Sequence, residues 1–235
     1  MYFLFDCDGT LTPSRGIIDT KFKMFLIKFV EKFPSSLVSG SDYSKTIEQL
    51  GEDLVDRFIY SFNCSGNAIY QDGKLIKKTD WVLSEKPRNY LMNVLETSSY
   101  PLRVGNHLEE RLGAVNFSVV GRNVTQAQRE EYFAWDKIYR ERAQIADYIN
   151  KNFTGVEAVV GGEISIDIYS AGADKSQVLS YLKNKDIIFF GDKCMPGGND
   201  YPLSSKLPQN KVYAVTDWRE TFDILKRLYF INCKH

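Results

Sequence analysis

The chain has 235 residues with 30 basic and 30 acidic side chains, so its formal net charge is zero. This balance gives no global field that would favour nucleic acid or an anionic membrane, and no apolar run is long enough to span a bilayer. Hydrophobic residues make up 43% of the chain and charged residues 26%, which is typical of a globular protein with one large domain or two modest ones.

Four cysteines, Cys7, Cys64, Cys194 and Cys233, are scattered and form no C-x-x-C motif. This usage favours reduced thiols in a cytosolic compartment over a disulfide framework. No signal peptide is visible, and cleavage of one would remove Asp6. We therefore expect a cytoplasmic protein without a membrane or nucleic-acid partner.

An apolar run opens the chain and ends in two carboxylates. Phe3–Phe5 predicts a buried parallel strand, since a strand covered on both faces is continuously apolar. Asp6 and Asp8 follow at its carboxyl end, where ligand sites of open α/β sheets lie. Two carboxylates at this spacing, before a flexible Gly9, suit a nucleophile beside a proton donor and a bound cation. An acidic turn is the structural alternative, but the D-x-D-G-T-L-T pattern is far more specific than that.

A helix and a second strand follow. Apolar residues recur at helical spacing from Phe22 to Phe33 and predict an amphipathic helix. Leu37-Val38 predicts a short strand that runs into a turn with Ser39 and Ser41 at the start of the next helix. Because helix N-terminal N–H groups favour anions, this turn is a plausible phosphate contact. A simple helix cap is an equally good and compatible interpretation.

Residues 58–62 predict a third strand, and residues 68–76, with Asp72-Gly73 at the turn, predict a β-hairpin. The order strand, helix, strand, helix, strand indicates a doubly wound sheet. The fold class that we expect is therefore α/β, with a mostly parallel core sheet.

The alternation is interrupted from about Trp81. Residues 84–95 predict a helix, residues 108–111 and 114–120 predict paired strands, and residues 158–169 predict two more strands. The capping box Thr125-Gln-Ala-Gln128 opens one long helix towards Asn150. We expect a separate small α/β domain inserted into the first. The predicted buried side of the long helix consists of Tyr132, Trp135, Ile138, Tyr139, Ile145 and Ile149.

Three arginines of the inserted segment are candidate phosphate ligands. Arg111 lies at the first paired strand, Arg122 just past the second, and Arg129 in the first turn of the long helix, where a cation opposes the helix dipole. The guanidinium group suits bidentate phosphate binding. Solvated surface pairs are the alternative interpretation, and it is the commoner one for each arginine taken singly.

Alternation in Ile164-Ser-Ile-Asp-Ile168 places three isoleucines on one sheet face and Ser165 with Asp167 on the other. Such a polar pair could bind sugar hydroxyls. An ordinary wet face of an antiparallel sheet is the alternative interpretation.

The last third predicts a return to the core sheet. Residues 174–182 predict a helix, and Lys175 in its first turn suits a bound phosphate. Apolar residues 187–190 predict a strand that leads to Asp192, at the same sheet edge as Asp6. A second strand-end carboxylate could complete an oxygen-ligand site for Mg²⁺. A glycine-containing loop then runs to Asp200, and a strand at 212–215 and a helix at 218–229 complete the pattern.

Motifs along nearly the whole chain carry a family resemblance. They are Phe5-Asp-Cys-Asp-Gly-Thr-Leu-Thr12 with Arg15, Gly40-Ser-Asp42, Arg111 with Asn116-Phe-Ser118, Gly121-Arg122, Arg129, Gly161-Gly162 with Ile164-Ser-Ile-Asp167, Asp174-Lys175, and Phe189-Phe-Gly-Asp-Lys193 with Met195-Pro-Gly-Gly-Asn-Asp200. With them, the chain resembles the eukaryotic-type phosphomannomutases of the haloacid dehalogenase superfamily.

The resemblance implies a Rossmann-like catalytic core at 1–80 and 173–235 and a substrate-binding cap domain at 81–172. It implies a cytoplasmic enzyme of GDP-mannose biosynthesis that interconverts mannose 6-phosphate and mannose 1-phosphate. The reaction would pass through a phosphoaspartyl enzyme and a hexose 1,6-bisphosphate, which also serves as activator.

The resemblance also implies roles for single residues. Asp6 is phosphorylated, Asp8 is the acid and base, and Lys175 neutralises the transferring oxygens. Mg²⁺ is held by Asp6, by Asp8 through its backbone carbonyl, and by Asp192. The expected sugar-phosphate contacts are Arg15, Arg111, Arg122, Arg129, Ser165 and Asp167. Possible phosphate or loop contacts are Ser39, Ser41, Asn199 and Asp200.

The chain departs from the family pattern in two places. The region after Asp200, residues 201–206, has no obvious acidic ligand for the family's second cation site, which we do not carry over. His107 stands where the family has an aromatic residue in a cap-to-cap dimer, so a homodimer is only a possible partner arrangement. We expect His107 to be satisfied or exposed and not a ligand. A Mg²⁺-dependent sugar-phosphate phosphatase and a non-catalytic sugar-phosphate binding protein are the alternative functions.

Overall fold

The computed structural model describes residues 1–232, with the side chains of 230–232 left out. Cys233 therefore lies outside the described residues, while Cys7 and Cys64 are buried thiols and Cys194 is a partly buried thiol. The strands are β1 (Tyr2–Phe5), β2 (Ser35–Val38), β3 (Ser61–Asn63), β4 (Ala68–Gln71), β5 (Lys74–Lys78), β6 (Leu108–Arg111), β7 (Ala114–Phe117), β8 (Val156–Gly161), β9 (Ser165–Ser170), β10 (Ile187–Gly191) and β11 (Val212–Ala214).

Helices alternate with the strands along most of the chain. The α-helices are α1 (Thr20–Lys32), α2 (Tyr43–Leu50), α3 (Glu52–Val55), α4 (Glu85–Thr97), α5 (Gln126–Tyr139), α6 (Glu141–Asn152), α7 (Tyr201–Ser204) and α8 (Trp218–Asn232). Short 3₁₀ helices cover Cys64–Gly66, Lys175–Ser180 and Gln209–Lys211. Among the described residues, none of these helices is both long and apolar enough to cross a membrane.

Two compact units are present in the fold. Of the described residues, the first contains 1–78, 174–196 and those from 200 onwards, and the second contains 79–173 and 197–199. The second unit is thus an insertion between strands of the first.

The first unit is built on a seven-stranded sheet of order β11-β10-β1-β2-β3-β4-β5. The strands from β11 to β3 are parallel, and β4 and β5 add an antiparallel edge. Side chains of β1 alternate between two cores, since Phe3 and Phe5 pack with α1 and α8 while Tyr2 and Leu4 pack in a second cluster with Val178 and Leu203. The sheet is covered on both faces, which confirms the doubly wound α/β expectation.

The second unit is built on a four-stranded antiparallel sheet of order β6-β7-β9-β8. One face of this sheet is apolar and carries Val115, Phe117, Ile166 and Ile168 into a core with α4, α5 and α6. The other face carries Asn116, Ser165 and Asp167, as the alternation in the sequence predicts.

The long helix predicted from Thr125 towards Asn150 is two helices, so this part of the prediction is wrong. The capping box at its start is confirmed. Arg140 separates α5 from α6 in a left-handed conformation with φ 56°. The Asp136 carboxylate accepts a hydrogen bond of 2.9 Å from the backbone N–H of Arg142 and so caps α6. Because the chain turns there, Ile138 and Tyr139 are 76% and 55% exposed and do not belong to the buried side.

Three element boundaries also differ from the sequence prediction. The strand expected at 58–62 begins only at Ser61, after the unpredicted helix α3. The strand expected at 114–120 ends at Phe117, since Ser118 and Gly121 form a turn with an N–H···O bond of 3.2 Å. The helix expected at 174–182 is a 3₁₀ helix that ends at Ser180, because the Asp174 carboxylate caps Ser176 at 2.6 Å and bonds of i→i+3 type follow.

Candidate active site

Two adjacent parallel strands of the first unit end in carboxylates. β1 and β10 pair in register from Tyr2–Ile187 to Phe5–Phe190, and the Asp6 N–H continues the ladder to the Phe190 carbonyl at 2.9 Å. Asp6 follows β1 and Asp192 follows β10, so both carboxylates meet at the same edge of the sheet. Asp6, Asp192 and Asp200 each offer an oxygen in a group within 4.8 Å.

Lys175 supplies a positive charge to this cluster. Its Nζ donates to Asp6 Oδ1 at 2.5 Å and to Asp200 Oδ1 at 2.7 Å, and its side chain is 1% exposed. Burial by itself would lower the pKa of Lys175, but the charges of Asp200 and Asp6 more than offset this and raise it. Lys175 is therefore a buried ammonium ion held between the carboxyl groups of Asp6 and Asp200.

The pKa of Asp6 is changed by burial and by the charged groups around it. Burial and the nearby Asp200 carboxylate raise the pKa of Asp6 to about 8, although Lys175 opposes the shift. Burial also raises the pKa of Asp192. A further cation beside these groups would favour their ionised forms. The opposite oxygen of Asp6 accepts a hydrogen bond of 3.1 Å from Thr10 Oγ1, which fixes the carboxylate in place.

Asp8 lies outside this carboxylate cluster and has its own partners. Its Oδ1 accepts hydrogen bonds from the Arg15 backbone N–H at 2.6 Å and from Gln49 Nε2 at 2.8 Å. Ser41 Oγ lies 3.5 Å from its other oxygen. The two carboxylates of the motif thus stand in different environments, one against a buried cation and the other in a network of neutral donors. Such a division is typical of a nucleophile and a separate acid and base.

Gln49 is a residue that the sequence analysis missed. It is 1% exposed on α2 and also approaches Thr12 Oγ1 and the Gly16 carbonyl, at 3.4 and 3.3 Å. A polar side chain on the buried side of an amphipathic helix was the available signal, but nothing in the sequence pairs position 49 with position 8.

The other predicted contacts of the first unit have varied surroundings. Arg15 is exposed and takes a positive φ of 59°, which brings its backbone N–H to Asp8. The hydroxyl of Ser39 accepts from the Ser41 N–H at 3.0 Å, so both serines belong to a structured turn. Asp200 is buried, with Lys175 on one oxygen and the Lys193 N–H on the other at 3.1 Å.

Arginines gather on one face of the second unit's sheet. Glu109 Oε1 pairs with Arg111 Nη2 at 3.0 Å, and Glu109 Oε2 pairs with Arg122 Nε at 2.8 Å. Arg129 Nη2 donates to the Arg122 carbonyl at 3.1 Å. Asp167 lies 4.0 Å from Arg111 Nη1. The three arginines predicted to bind phosphate are therefore neighbours in space, although 18 positions separate the first from the last.

Glu109 is the second residue that the sequence analysis missed. Burial would raise the pKa of its carboxyl group, but hydrogen bonds from Arg111 and the charge of Arg122 hold that pKa below its usual range. Glu109 is thus a carboxylate that fixes the spacing of two guanidinium groups. In the sequence it is one of two adjacent glutamates on a short strand, which carries no specific signal.

Ser165 and Asp167 lie on the same polar face of β9. Ser165 Oγ donates to the Gly161 carbonyl at 3.0 Å, and Asp167 Oδ1 accepts from Asn116 Nδ2 at 2.6 Å. Gly161 has to lack a side chain, because a Cβ there would collide with the Asp167 carboxylate. His107, by contrast, bonds through Nδ1 to the Ser118 carbonyl at 2.9 Å, which agrees with the expectation of a satisfied histidine.

Comparison with known proteins identifies the family. The family model of eukaryotic phosphomannomutase matches residues 22–231. The phosphomannomutase of Saccharomyces cerevisiae is 38% identical over 211 residues, which cover 85% of this chain and 83% of the yeast protein. This chain belongs to the eukaryotic phosphomannomutase family. Phosphomannomutase 1 of Dictyostelium discoideum is 35% identical over 238 residues, 97% of this chain and 96% of that protein.

Solved structures show the same fold at low sequence identity. A haloacid dehalogenase-like hydrolase from Bacteroides thetaiotaomicron superposes with a TM-score of 0.62 at 15% identity, covering 97% of this chain and 100% of that one. A trehalose-6-phosphate phosphatase related protein gives 0.57 at 17% identity, with 99% of each chain covered. The Rossmann-like haloacid dehalogenase fold expected for this family member is thereby confirmed.

A divalent cation fits the acidic cluster of the first unit. Its potential ligands are hard carboxylate oxygens, the kind that Mg²⁺ prefers. Gly9, at φ +83°, lets the Asp192 carboxylate lie close to the loop that follows β1, since a Cβ at this position would collide with Asp192 Oδ2. The chemistry of the donors and this glycine thus suit a small cation between the ends of β1 and β10.

Proposed function

We propose that this protein interconverts mannose 6-phosphate and mannose 1-phosphate through a hexose 1,6-bisphosphate. Family membership supports the reaction class. The main support for the proposal is that the chain has two separate groups of residues suited to phosphate. Asp6 with Lys175 in the first unit suits phosphoryl transfer, and the arginine cluster in the second suits phosphate binding. A sugar with a phosphate at each end needs both groups.

The chemistry of the proposal begins at Asp6. One carboxylate oxygen forms a bond to phosphorus while the bond from phosphorus to the sugar oxygen breaks. Asp8 donates its proton to that leaving oxygen. In the reverse half-reaction Asp8 takes the proton of the incoming sugar hydroxyl, which attacks the phosphoaspartyl group and releases Asp6. The resulting bisphosphate then presents its other phosphate to Asp6. The net change is that the phosphate group of the sugar moves between positions 1 and 6.

Lys175 and a bound metal would serve this transfer by their charge. The Lys175 ammonium ion, between Asp6 and Asp200, offsets negative charge on the transferring oxygens. We propose that Mg²⁺ is the cation and that Asp6, Asp192 and the backbone carbonyl of Asp8 hold it. When bound, it supplies Lewis-acid neutralisation of phosphoryl charge.

We further propose that the second unit acts as a cap domain and binds the non-reacting phosphate. Arg111, Arg122 and Arg129 would supply the guanidinium groups, and Ser165 and Asp167 would contact the sugar. Arg15 is proposed as a further contact from the first unit, and Ser39, Ser41 and Asn199 as contacts with the phosphate or its loop. Exclusion of water by the cap would prevent hydrolysis of the phosphoaspartyl group.

One assay tests the reaction. Mannose 1-phosphate and, separately, glucose 1-phosphate are incubated with Mg²⁺ and the matching hexose 1,6-bisphosphate, and sugar 6-phosphate and inorganic phosphate are followed together. We expect sugar 6-phosphate as the main product. Stoichiometric inorganic phosphate without sugar 6-phosphate would make the protein a phosphatase. The absence of both products would favour a binding protein.

Arg122→Ala and Arg129→Ala should each lower kcat/KM for mannose 1-phosphate by about 10- to 100-fold, the loss of one or two charge-assisted hydrogen bonds. Hydrolysis of p-nitrophenyl phosphate, which has no second phosphate, should change far less. Arg88→Ala is the matched control, because Arg88 belongs to the same unit and pairs with Glu110 at the surface. Wild-type kinetics in both variants would show that these arginines are solvated surface residues and not phosphate ligands.

A further inference from the structure

The turn after β3, residues 64–66, has an unusual backbone conformation. β3 runs parallel to β2 and β1, so this turn lies at the sheet edge that also carries Asp6. Cys64, Ser65 and Gly66 take positive φ values of 49°, 59° and 94°. The left-handed region is unfavourable for a residue with a Cβ, and two such residues in succession keep it only where the surrounding contacts hold the backbone there. We call these three residues the left-handed turn.

One set of contacts joins the left-handed turn to the loop after β2. The Cys64 N–H donates to the Ser41 carbonyl at 2.9 Å. The Ser65 N–H donates to the Ser39 carbonyl at 2.8 Å. The left-handed turn thus holds the backbone of both serines, and the Ser41 hydroxyl lies 3.5 Å from Asp8 Oδ2.

A second set of contacts joins the left-handed turn to the 3₁₀ helix that begins at Lys175. Gln177 Nε2 donates to the Ser65 carbonyl at 2.9 Å, across 112 positions of the chain. Gly66 lies so close to the same helix that a Cβ there would stand 2.9 Å from Val178 Cγ1 and 3.0 Å from Gln177 Cγ. The left-handed turn therefore lies between the loop that carries Ser39 and Ser41 and the helix that presents Lys175.

Another glutamine of the chain makes the same kind of bond in a different setting. Gln144 Nε2 donates to the Tyr139 carbonyl at 2.9 Å, but this bond is exposed and spans only five positions. It closes a local turn and joins no distant segments. The Gln177 bond is partly buried and connects two segments that both reach the edge of the sheet at Asp6.

The proposed function directs both segments at the transferring phosphate. Lys175 donates to Asp6 Oδ1 at 2.5 Å, and Ser41 is a proposed phosphate contact beside Asp8. Stabilisation of charge on the transferring oxygens requires donors that are already in place, and a displacement of about 1 Å can cost up to about 100-fold in rate. The relative position of Lys175 and Ser41 therefore matters for the rate, and the left-handed turn links their two segments.

We propose that Gln177 is a positioning residue for phosphoryl transfer, because it holds the Ser65 carbonyl and so keeps the left-handed turn in the shape that fixes Ser39 and Ser41 relative to Lys175. This inference rests on the proposed function, which brings the transferring phosphate to Asp6. It adds to that function a residue that acts through the turn and not by contact with the substrate.

The test is a double-mutant cycle between Gln177 and the backbone strain at Ser65. Gln177→Met removes the donor at nearly constant size, and Ser65→Gly removes the Cβ that disfavours the left-handed turn. Turnover of mannose 1-phosphate is measured well below the unfolding temperature of each variant, as sugar 6-phosphate plus inorganic phosphate. We expect Gln177→Met to lose about tenfold in kcat with KM within about twofold of wild type. In the Ser65→Gly background the same change should lose less than about threefold, because glycine favours this turn by itself.

Amide hydrogen exchange gives a second measurement that does not depend on turnover. The amides of Cys64 and Ser65 should exchange faster in Gln177→Met than in wild type, and less so in the Ser65→Gly background. Gln144→Met is the matched control and should keep both the wild-type kcat and the wild-type exchange at these two amides. Unchanged exchange in Gln177→Met, a wild-type kcat, or an equal loss of kcat in both backgrounds would overturn the inference.

The product separates this inference from the proposed function. Inorganic phosphate as the main product, with the coupling between Gln177 and Ser65 still present, would contradict the mutase reaction and support the role of Gln177. Sugar 6-phosphate without that coupling would support the mutase and overturn the role of Gln177.

Discussion

Asp6→Asn should abolish mutase turnover, with a fall of roughly 10³-fold or more. The amide cannot form the phosphoaspartyl bond, while Asn keeps the size of the side chain and an oxygen that can accept from Lys175. The measurement is sugar 6-phosphate formation together with transfer of labelled phosphate from the bisphosphate to the protein. Asp53→Asn is the matched control, since Asp53 is an exposed carboxylate paired with Lys23. Retained mutase activity in Asp6→Asn would remove the nucleophile assignment.

A measurement of the stability of Asp6→Asn distinguishes a loss of catalysis from a loss of the folded state. The pKa of Asp6 is raised from 3.8 to about 8 by burial and by Asp200, so the folded state binds a proton that the unfolded state releases between these values. The contribution of Asp6 to the stability of the metal-free protein should therefore fall as pH rises from about 4 to about 8, and the difference between wild type and Asp6→Asn isolates this contribution. Asn cannot ionise and should remove this contribution, which leaves the variant at least as stable as wild type at pH 7. A large loss of stability in the metal-free variant would contradict the interpretation that burial and the nearby Asp200 disfavour the ionised form of Asp6.

Arg142→Met should destabilise the second unit by about 3–5 kcal/mol, the usual cost of breaking a buried ion pair. Arg142 Nε bonds Asp136 Oδ2 at 2.8 Å, and the two side chains are 4% and 9% exposed. Arg142 Nη1 also donates to the Gly162 carbonyl at 2.9 Å, so the same side chain ties the start of α6 to the turn between β8 and β9. Its removal leaves a buried carboxylate and an unpaired carbonyl.

The measurement is amide hydrogen exchange within residues 79–173, combined with denaturant unfolding of the full chain. Arg88→Met, which removes an exposed ion pair with Glu110, is the control and should cost less than about 1 kcal/mol. The double variant Asp136→Leu with Arg142→Met should recover part of the loss, because it leaves no buried charge. Equal costs for Arg142→Met and Arg88→Met would show that the buried pair has no special role.

Local patterns predicted the elements that hold the proposed catalytic residues. The apolar run Phe3–Phe5 predicted a buried strand that presents Asp6, and the strand over 187–190 predicted that Asp192 would reach the same sheet edge. These predictions succeeded because parallel strands buried on both faces have a continuous apolar signature and end on a common edge. The capping box at Thr125 and the alternation around Ser165 were reliable for a similar reason, since both are contacts within a few residues.

Contacts between distant residues were not predictable in this way. Gln49 reaches Asp8 across 41 positions, and Asn116 reaches Asp167 across 51 positions. Glu109 looked like any surface glutamate until the strands paired, and the break at Arg140 became visible only with the buried Asp136–Arg142 pair. Each of these depends on the free energy of burying a polar group beside one specific partner, which no local pattern records.

The sequence by itself determined which residue types are available for the reaction and which strand ends present them: carboxylates after β1 and β10, a lysine after Asp174 and arginines in an inserted segment. Helical and strand periodicity and residue chemistry are local properties, and they suffice for that. Only the tertiary structure decided that Lys175 is buried between Asp6 and Asp200, that Glu109 joins two of the arginines and that Gln177 reaches the Ser65 carbonyl. The physical reason is that charge pairing and hydrogen-bond satisfaction depend on distance in space and on burial, and folding sets both at once.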